Sequence, residues 1–173
     1  MSDVTYLGNC SNIIDINQLL KNLGTPDTTG PTASLADEEI SEIFKIWKSV
    51  GYDISSNSGT VKWDMYFPDQ SFDRSIIMKI LNHIGFNSFN SAWISKIDPG
   101  YCAAPHYDRI PVNISPNRMH IHLEDSCMGH VFYIGNTYLT GYKQGDIFLW
   151  NDPYAWHAGS NISLKPKFML NIY

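Results

Sequence analysis

The sequence predicts a mainly β fold preceded by helices, an α+β architecture with helices packed on one face of a jelly roll. Three observations carry this. Up to Gly85 the apolar residues recur at helical spacing and the runs stop at glycines. After Gly85 the chain breaks into short aromatic and β-branched runs separated by Gly, Pro, Asn and Asp. No internal repeat, low-complexity tract or linker divides the 173 residues, so one domain is expected: a mostly helical part over 1–88 packed on a sheet core over 89–173.

The first helix is predicted in IIDINQLLKNLG, residues 13–24, which ends at Gly24. TPDTTGPTAS, residues 25–34, reads as a loop from its two prolines and hydroxyl residues. A stronger helix follows in LADEEISEIFKIWKSVG. Ser34 can cap it, acidic residues crowd its start where the helix dipole favours them, and Ile40, Ile43, Phe44 and Trp47 share one face before Gly51 ends it. FDRSIIMKILNHIG supplies a third helix, stopped by Gly85. The predicted strands are FNSAWISKI, RMHIHLE, HVFYIG, TYLTGY, DIFLWN and KFMLNIY.

Composition excludes several classes of function. Charged residues make up 17% of the chain and hydrophobic residues 43%, which describes a folded globule. The net charge of -5 and the lack of a Lys/Arg cluster argue against a nucleic-acid surface. Cys10, Cys102 and Cys127 are odd in number and form no CxxC pair, which argues against a disulfide framework and a zinc-thiolate site. No run reaches membrane-span length, and no basic-then-apolar leader is visible. A soluble cytoplasmic protein is the expectation. NIS occurs at Asn113 and Asn161 and is read as a chance match to the glycosylation pattern. Oligomeric state leaves no trace.

The stretch PGYCAAPHYDR places His106 and Asp108 two residues apart. On a strand, that spacing points both side chains to one face, so an imidazole and a carboxylate can converge on one ion. His157 is the third candidate, since a jelly roll brings its first and penultimate regions side by side. Two imidazoles and one carboxylate form the facial triad of non-haem Fe(II) oxygenases, which leaves coordination positions open for a co-substrate and dioxygen. Lys167 follows ten residues after His157. It is either a solvent-facing strand lysine or the fixed cation that a buried co-substrate carboxylate needs. For Lys165, the solvent-facing reading is preferred.

From Trp93 to Tyr173 the sequence resembles the aspartyl/asparaginyl β-hydroxylase family of Fe(II)/2-oxoglutarate oxygenases. The matching elements are WISKIDPGYCAAPHYD, RMHIHLE, QGDIFLWND, HAGSN and then Lys167, in that order. The resemblance implies a double-stranded β-helix, Fe(II), 2-oxoglutarate and dioxygen. It implies iron ligation by His106 and His157. It puts Arg118 and His120 at the iron-side carboxylate of 2-oxoglutarate, and Ser95 and Lys167 at the distal carboxylate. The residue pattern alone leaves Arg118, His120 and His122 open as a cross-strand polar set. Asp108 departs from family members that bind iron with two histidines, and it favours hydroxylation over halogenation. Lys167 stands where the family usually has arginine, and a lysine cannot form a bidentate pair.

Other residues stay open between two readings. Asp146 and Asp152 either orient a ligand histidine or make turns, and Trp150 and Trp156 either line a pocket or pack the core. Cys102 and Tyr107 are candidates for substrate contact, and His83 and His130 are read as structural. The substrate is expected to be a protein side chain, an amino acid or a small metabolite. The alternatives are a non-redox, cupin-like metal isomerase, a carbohydrate-binding jelly-roll module, or a structural protein with a decayed site.

Overall fold

The computed structural model describes residues 2–30, 38–53, 59–108 and 117–173. Among them, eleven strands form two antiparallel sheets, joined by three helices. The strands are β1 Val4–Asn9, β2 Thr28–Gly30, β3 Trp63–Tyr66, β4 Ala92–Ile97, β5 Cys102–His106, β6 Met119–His122, β7 His130–Ile134, β8 Thr137–Tyr138, β9 Asp146–Trp150, β10 His157–Asn161 and β11 Lys167–Ile172. The helices are α1 Ile16–Asn22, α2 Glu38–Ser49 and α3 Ser75–His83. The larger sheet has the order β1-β9-β6-β11-β4-β3-β2 and the smaller β5-β10-β7-β8. The fold is a double-stranded β-helix, as predicted.

The three helices lie inside their predicted segments, and each start or stop has a local cause. Asp15 caps α1 by accepting the Gln18 N–H at 2.9 Å, two residues after the predicted start. α2 ends as expected at Gly51, whose φ of +92° suits a residue without Cβ. Ile43, Phe44 and Trp47 form its buried face, while Ser34 and the Ile40 side chain lie outside what is described. α3 buries Ile77, Ile80 and Leu81 completely.

The N-terminal part contributes more strand than its sequence suggested. β1 pairs with β9 at one edge of the larger sheet, and β2 and β3 form the other. β2 falls within the TPDTTGPTAS segment read as loop. None of the three has long hydrophobic alternation. Their partners supply order that the local sequence does not, as tertiary context often does for strands.

The larger sheet buries both faces. On one, Ala92 and Ile94 of β4, Ile121 of β6, Ile147 of β9 and Leu170 and Ile172 of β11 pack against α1 and α3 in the main core. Burying each of these isoleucine and leucine side chains stabilises the fold by roughly 1.5–3 kcal/mol. The opposite face, one residue out of phase along every strand, looks toward the smaller sheet. Cys10, Cys102 and Cys127 are free thiols. Asn161 is fully buried, its side chain donating to the Ile97 and Lys165 carbonyls. Asn113 lies outside the described residues.

Candidate metal centre and adjoining cavity

The inner face of the larger sheet is read by period two. β11 contributes Lys167, Met169 and Asn171, β4 contributes Trp93, Ser95 and Ile97, and β3 contributes Trp63 and Met65. These residues line a cavity of about 210 Å³ between the sheets. The smaller sheet closes it with Ala103, His106, Phe132, His157 and Gly159.

His106 faces the cavity because β5 is irregular. The register runs His157↔His106 and Gly159↔Ala103, so β5 spends one more residue than β10 over this interval. That bulge contains Pro105, and bulges are where a strand tolerates proline and re-aims a side chain. Without it, Ala103 and His106 would point to opposite faces. The Trp47 indole N–H donates to the Pro105 carbonyl at 2.6 Å, tying α2 to the bulge. The His106 ring lies between Trp63, stacked at 5.9 Å, and Trp47, edge-on at 6.3 Å.

His106, Asp108 and His157 bring one ligand atom each to within 4.8 Å of one another. The predicted route was partly different, since Asp108 lies beyond the end of β5 rather than on a strand. His106 and His157 meet as direct cross-strand partners, which is the juxtaposition expected of a jelly roll. In both histidines Nδ1 faces a carbonyl two residues earlier, Ala104 at 2.6 Å and Ala155 at 3.1 Å. A carbonyl only accepts, so Nδ1 carries the proton and Nε2 keeps a lone pair for a metal. Burial holds both imidazoles below the ordinary histidine value and therefore neutral, and Arg118 adds to this at His157.

Asp108 is ionised for a different reason. Burial alone would raise its pKa, but the Arg118 guanidinium, helped by the Tyr173 hydroxyl hydrogen bond, outweighs burial and holds the carboxyl well below its usual range. Arg118, only 2% exposed, pairs with Asp108 Oδ2 at 2.5 Å and lies 3.2 Å from His157 Nε2. Its guanidinium sits 3.5 Å from the Trp150 ring centre. The donor set of two neutral imidazoles and one carboxylate fits a divalent first-row metal.

Lys167 is buried at 2% exposure and lines the same cavity, which sets aside the solvent-facing reading. Its ammonium lies 4.6 Å from the Phe132 ring centre. A Cβ on Gly159 would crowd Ile97 Cδ1 at 3.2 Å and come into ordinary contact with the ammonium at 3.6 Å, so the lysine end lies directly against this glycine. Burial pushes Lys167 below the ordinary lysine value, and Glu124 opposes the shift. Lys165 is exposed, as expected. Ser95 Oγ accepts from Trp93 Nε1 at 3.0 Å and from Asn171 Nδ2 at 2.9 Å. With both lone pairs taken, its O–H can only donate, which suits an anion.

His120 is placed apart from the cavity lining. Its Nδ1 accepts the Trp150 indole N–H at 2.6 Å, and its ring stacks on Phe148. It therefore stands behind Trp150, the platform under Arg118. His122 stacks on Tyr142. His130 is buried, with Nε2 3.2 Å from the Lys165 carbonyl, and His83 is exposed. Asp146 accepts from Asn9 and from the Lys143 N–H, and Asp152 accepts the Tyr154 N–H, so both serve turns. Trp156 is 42% exposed and meets Tyr107 edge-on. Cys102 is half-buried and packs against the α2 cluster.

The residues that sequence reasoning missed are Asn171, Tyr173, Trp93 and Trp63. Asn171 and Tyr173 fall four and six residues after Lys167 and so on its face, and Trp93 lies two before Ser95. Strand periodicity carried forward from a candidate residue would have found these three. Trp63 sits on a strand that left no signal.

No protein-family model matches the sequence, and no curated protein does. Solved structures resemble it in fold. One is the non-heme alpha ketoglutarate dependent carbocyclase SnoK from nogalamycin biosynthesis, at 11% identity, with 95% of this chain and 85% of that chain covered and a TM-score of 0.51. Another is AviO1 from Streptomyces viridochromogenes Tue57, at 12% identity, with 99% and 88% covered and a TM-score of 0.51. At such identities the likeness is one of fold.

Proposed function

We propose that this chain is an Fe(II)- and 2-oxoglutarate-dependent oxygenase that hydroxylates an unactivated C–H bond of a protein side chain, an amino acid or a small metabolite. One observation carries the reading: a single cavity is lined both by a His-Asp-His set and by a buried lysine beside a donor-only serine. A metal site alone would not need the buried cation. A dicarboxylate that chelates metal through one end and is anchored through the other accounts for both. The aspartyl/asparaginyl β-hydroxylase-like pattern of the second half and the fold shared with SnoK support it.

His106, Asp108 and His157 would hold the metal, which when bound supplies dioxygen activation coupled to oxidative decarboxylation of 2-oxoglutarate to succinate and carbon dioxide. Lys167 and Ser95 would take the distal carboxylate. Arg118 supplies cationic donors beside the metal ligands, where the keto acid end would lie. His120 fixes Trp150 and through it the guanidinium. The buried walls, with Phe132, Met169 and Ile97, exclude water around the anchored diacid.

The direct test is anaerobic addition of Fe(II) and 2-oxoglutarate, read by the weak visible charge-transfer band. The wild type should show the band and His106→Ala should lose it. Tightly held zinc with no response to 2-oxoglutarate would favour a non-redox jelly-roll protein instead.

A pH dependence follows from Lys167. Only the ammonium form attracts a carboxylate, and burial sets its pKa below the ordinary 10.5. Bound carboxylate favours the charged form, so the lysine pKa rises in the complex. Dissociation constants for 2-oxoglutarate should therefore be flat at neutral pH. They should climb, by up to tenfold per pH unit, starting below the pH at which an ordinary lysine titrates. Titration calorimetry across pH 7–10 checks this, and a flat profile to pH 10 would contradict it.

A further inference from the structure

We propose that Tyr173 is a positioning residue for the carboxylate ligand: with Arg118 it saturates Asp108 Oδ2, so that Oδ1 alone is offered to a metal. This rests on the metal-site reading above and adds a residue to it. The Tyr173 hydroxyl donates to Asp108 Oδ2 at 2.6 Å, and Arg118 Nη2 donates to the same oxygen at 2.5 Å. A carboxylate oxygen has two lone-pair positions, and two short charge-assisted bonds fill them. Oδ1 faces His106 Nε2 at 3.6 Å and carries neither bond, while Oδ2, 3.5 Å from His157 Nε2, carries both. Two filled positions on one oxygen bias the carboxylate toward single-oxygen ligation and fix its plane. A free carboxylate on a non-strand segment would rotate.

Tyr173 is itself held rigidly. Its ring stacks on Trp93 at 5.3 Å and 19°, and the Arg118 guanidinium lies over the ring, 4.9 Å from its centre. Its N–H donates to the Ser91 carbonyl, and its own carbonyl accepts from Asn90 at 2.6 Å. The phenol is therefore aimed by β11 and by the segment entering β4, two central strands of the larger sheet. Outer partners of metal ligands typically contribute about 10–100-fold in metal affinity.

The test is Co(II) binding to the full chain, by calorimetry and by the visible ligand-field spectrum. Tyr173→Phe keeps the ring and its stacking. It should weaken Co(II) affinity about tenfold or more and change the ligand-field spectrum, while the thermal midpoint stays near that of the wild type. Tyr173→Leu removes the ring as well, and it should weaken metal at least as much while also lowering the midpoint. Tyr173→Phe binding Co(II) within twofold of wild type and with the same spectrum would overturn the inference, even if Tyr173→Leu were impaired, because packing alone would then explain the residue. The metal-site reading fails separately. If His106→Ala binds Co(II) as the wild type does, or the wild type binds none, that reading falls and this one with it. If only Tyr173→Phe behaves as wild type, this inference falls alone.

Discussion

Lys167→Met should weaken 2-oxoglutarate binding about 30-fold or more and leave the protein as stable as before. Truncating one partner of a buried charge pair costs about 2–5 kcal/mol of binding, which is about 30-fold to several thousand-fold. Methionine keeps most of the side-chain volume against Phe132 and Ile97, so no large cavity opens. The charge itself brings no stability to the unliganded fold. Burial disfavours the ammonium, and the opposing carboxyl of Glu124 is pushed up to about 7 by its own burial. When Lys167 is removed, Glu124 takes a proton instead of standing as a buried anion, and it still accepts the Phe168 N–H at 2.7 Å. Lys167→Met combined with Glu124→Gln removes both desolvation penalties and should raise the thermal midpoint above that of the wild type. Calorimetric titration with 2-oxoglutarate and thermal unfolding of the three proteins read both halves. Retention of 2-oxoglutarate affinity within threefold in Lys167→Met would remove the co-substrate from the proposed function.

That pairing of weak stability with strong binding also shows which features the sequence could disclose. Lys167 stood out because a cation at a fixed distance after a histidine has a chemical reason to be there. The candidate metal ligands stood out for the same reason, and the fold supplied what spacing could not, the cross-strand meeting of His106 with His157. The facing of His106 was less legible. It depends on a bulge, and only the proline immediately before it hints at one. β1, β2 and β3 were hidden because these outer strands take their order from sheet partners rather than from their own pattern, β1 and β3 from β9 and β4 far along the chain. Trp63, which stacks on His106, was hidden with them. The second role of Arg118 was also hidden, since residue identity and strand phase give its face but not its partner. That partner is Asp108, the carboxylate of the candidate metal site.

The Arg118–Asp108 pair makes the second large prediction, that Asp108 supports the fold as well as the metal. Arg118 is 2% exposed, and its Nε and Nη1 have no hydrogen-bond partner among the described residues. Asp108 is the carboxylate that compensates its charge. Asp108→Ala therefore strands a buried cation and should cost about 3–5 kcal/mol, reduced somewhat by the contact of the guanidinium with the Trp150 ring. His106→Ala should abolish metal binding just as fully at a smaller cost, since it leaves no charge unpaired. The double variant Asp108→Ala, Arg118→Met should recover most of the lost stability and none of the metal. The acid side supplies an independent check. The folded-state pKa of Asp108 lies below its unfolded value of 3.8, so its contribution is fully present above that value and is lost as pH falls toward the folded pKa. The wild type should lose part of its stability over that acid window, and the double variant should lack this component. Denaturant unfolding of the four proteins at pH 7 and near pH 3 measures the cycle. A Asp108→Ala protein as stable as His106→Ala would mean that Arg118 finds another partner, and the dual role of Asp108 would be refuted.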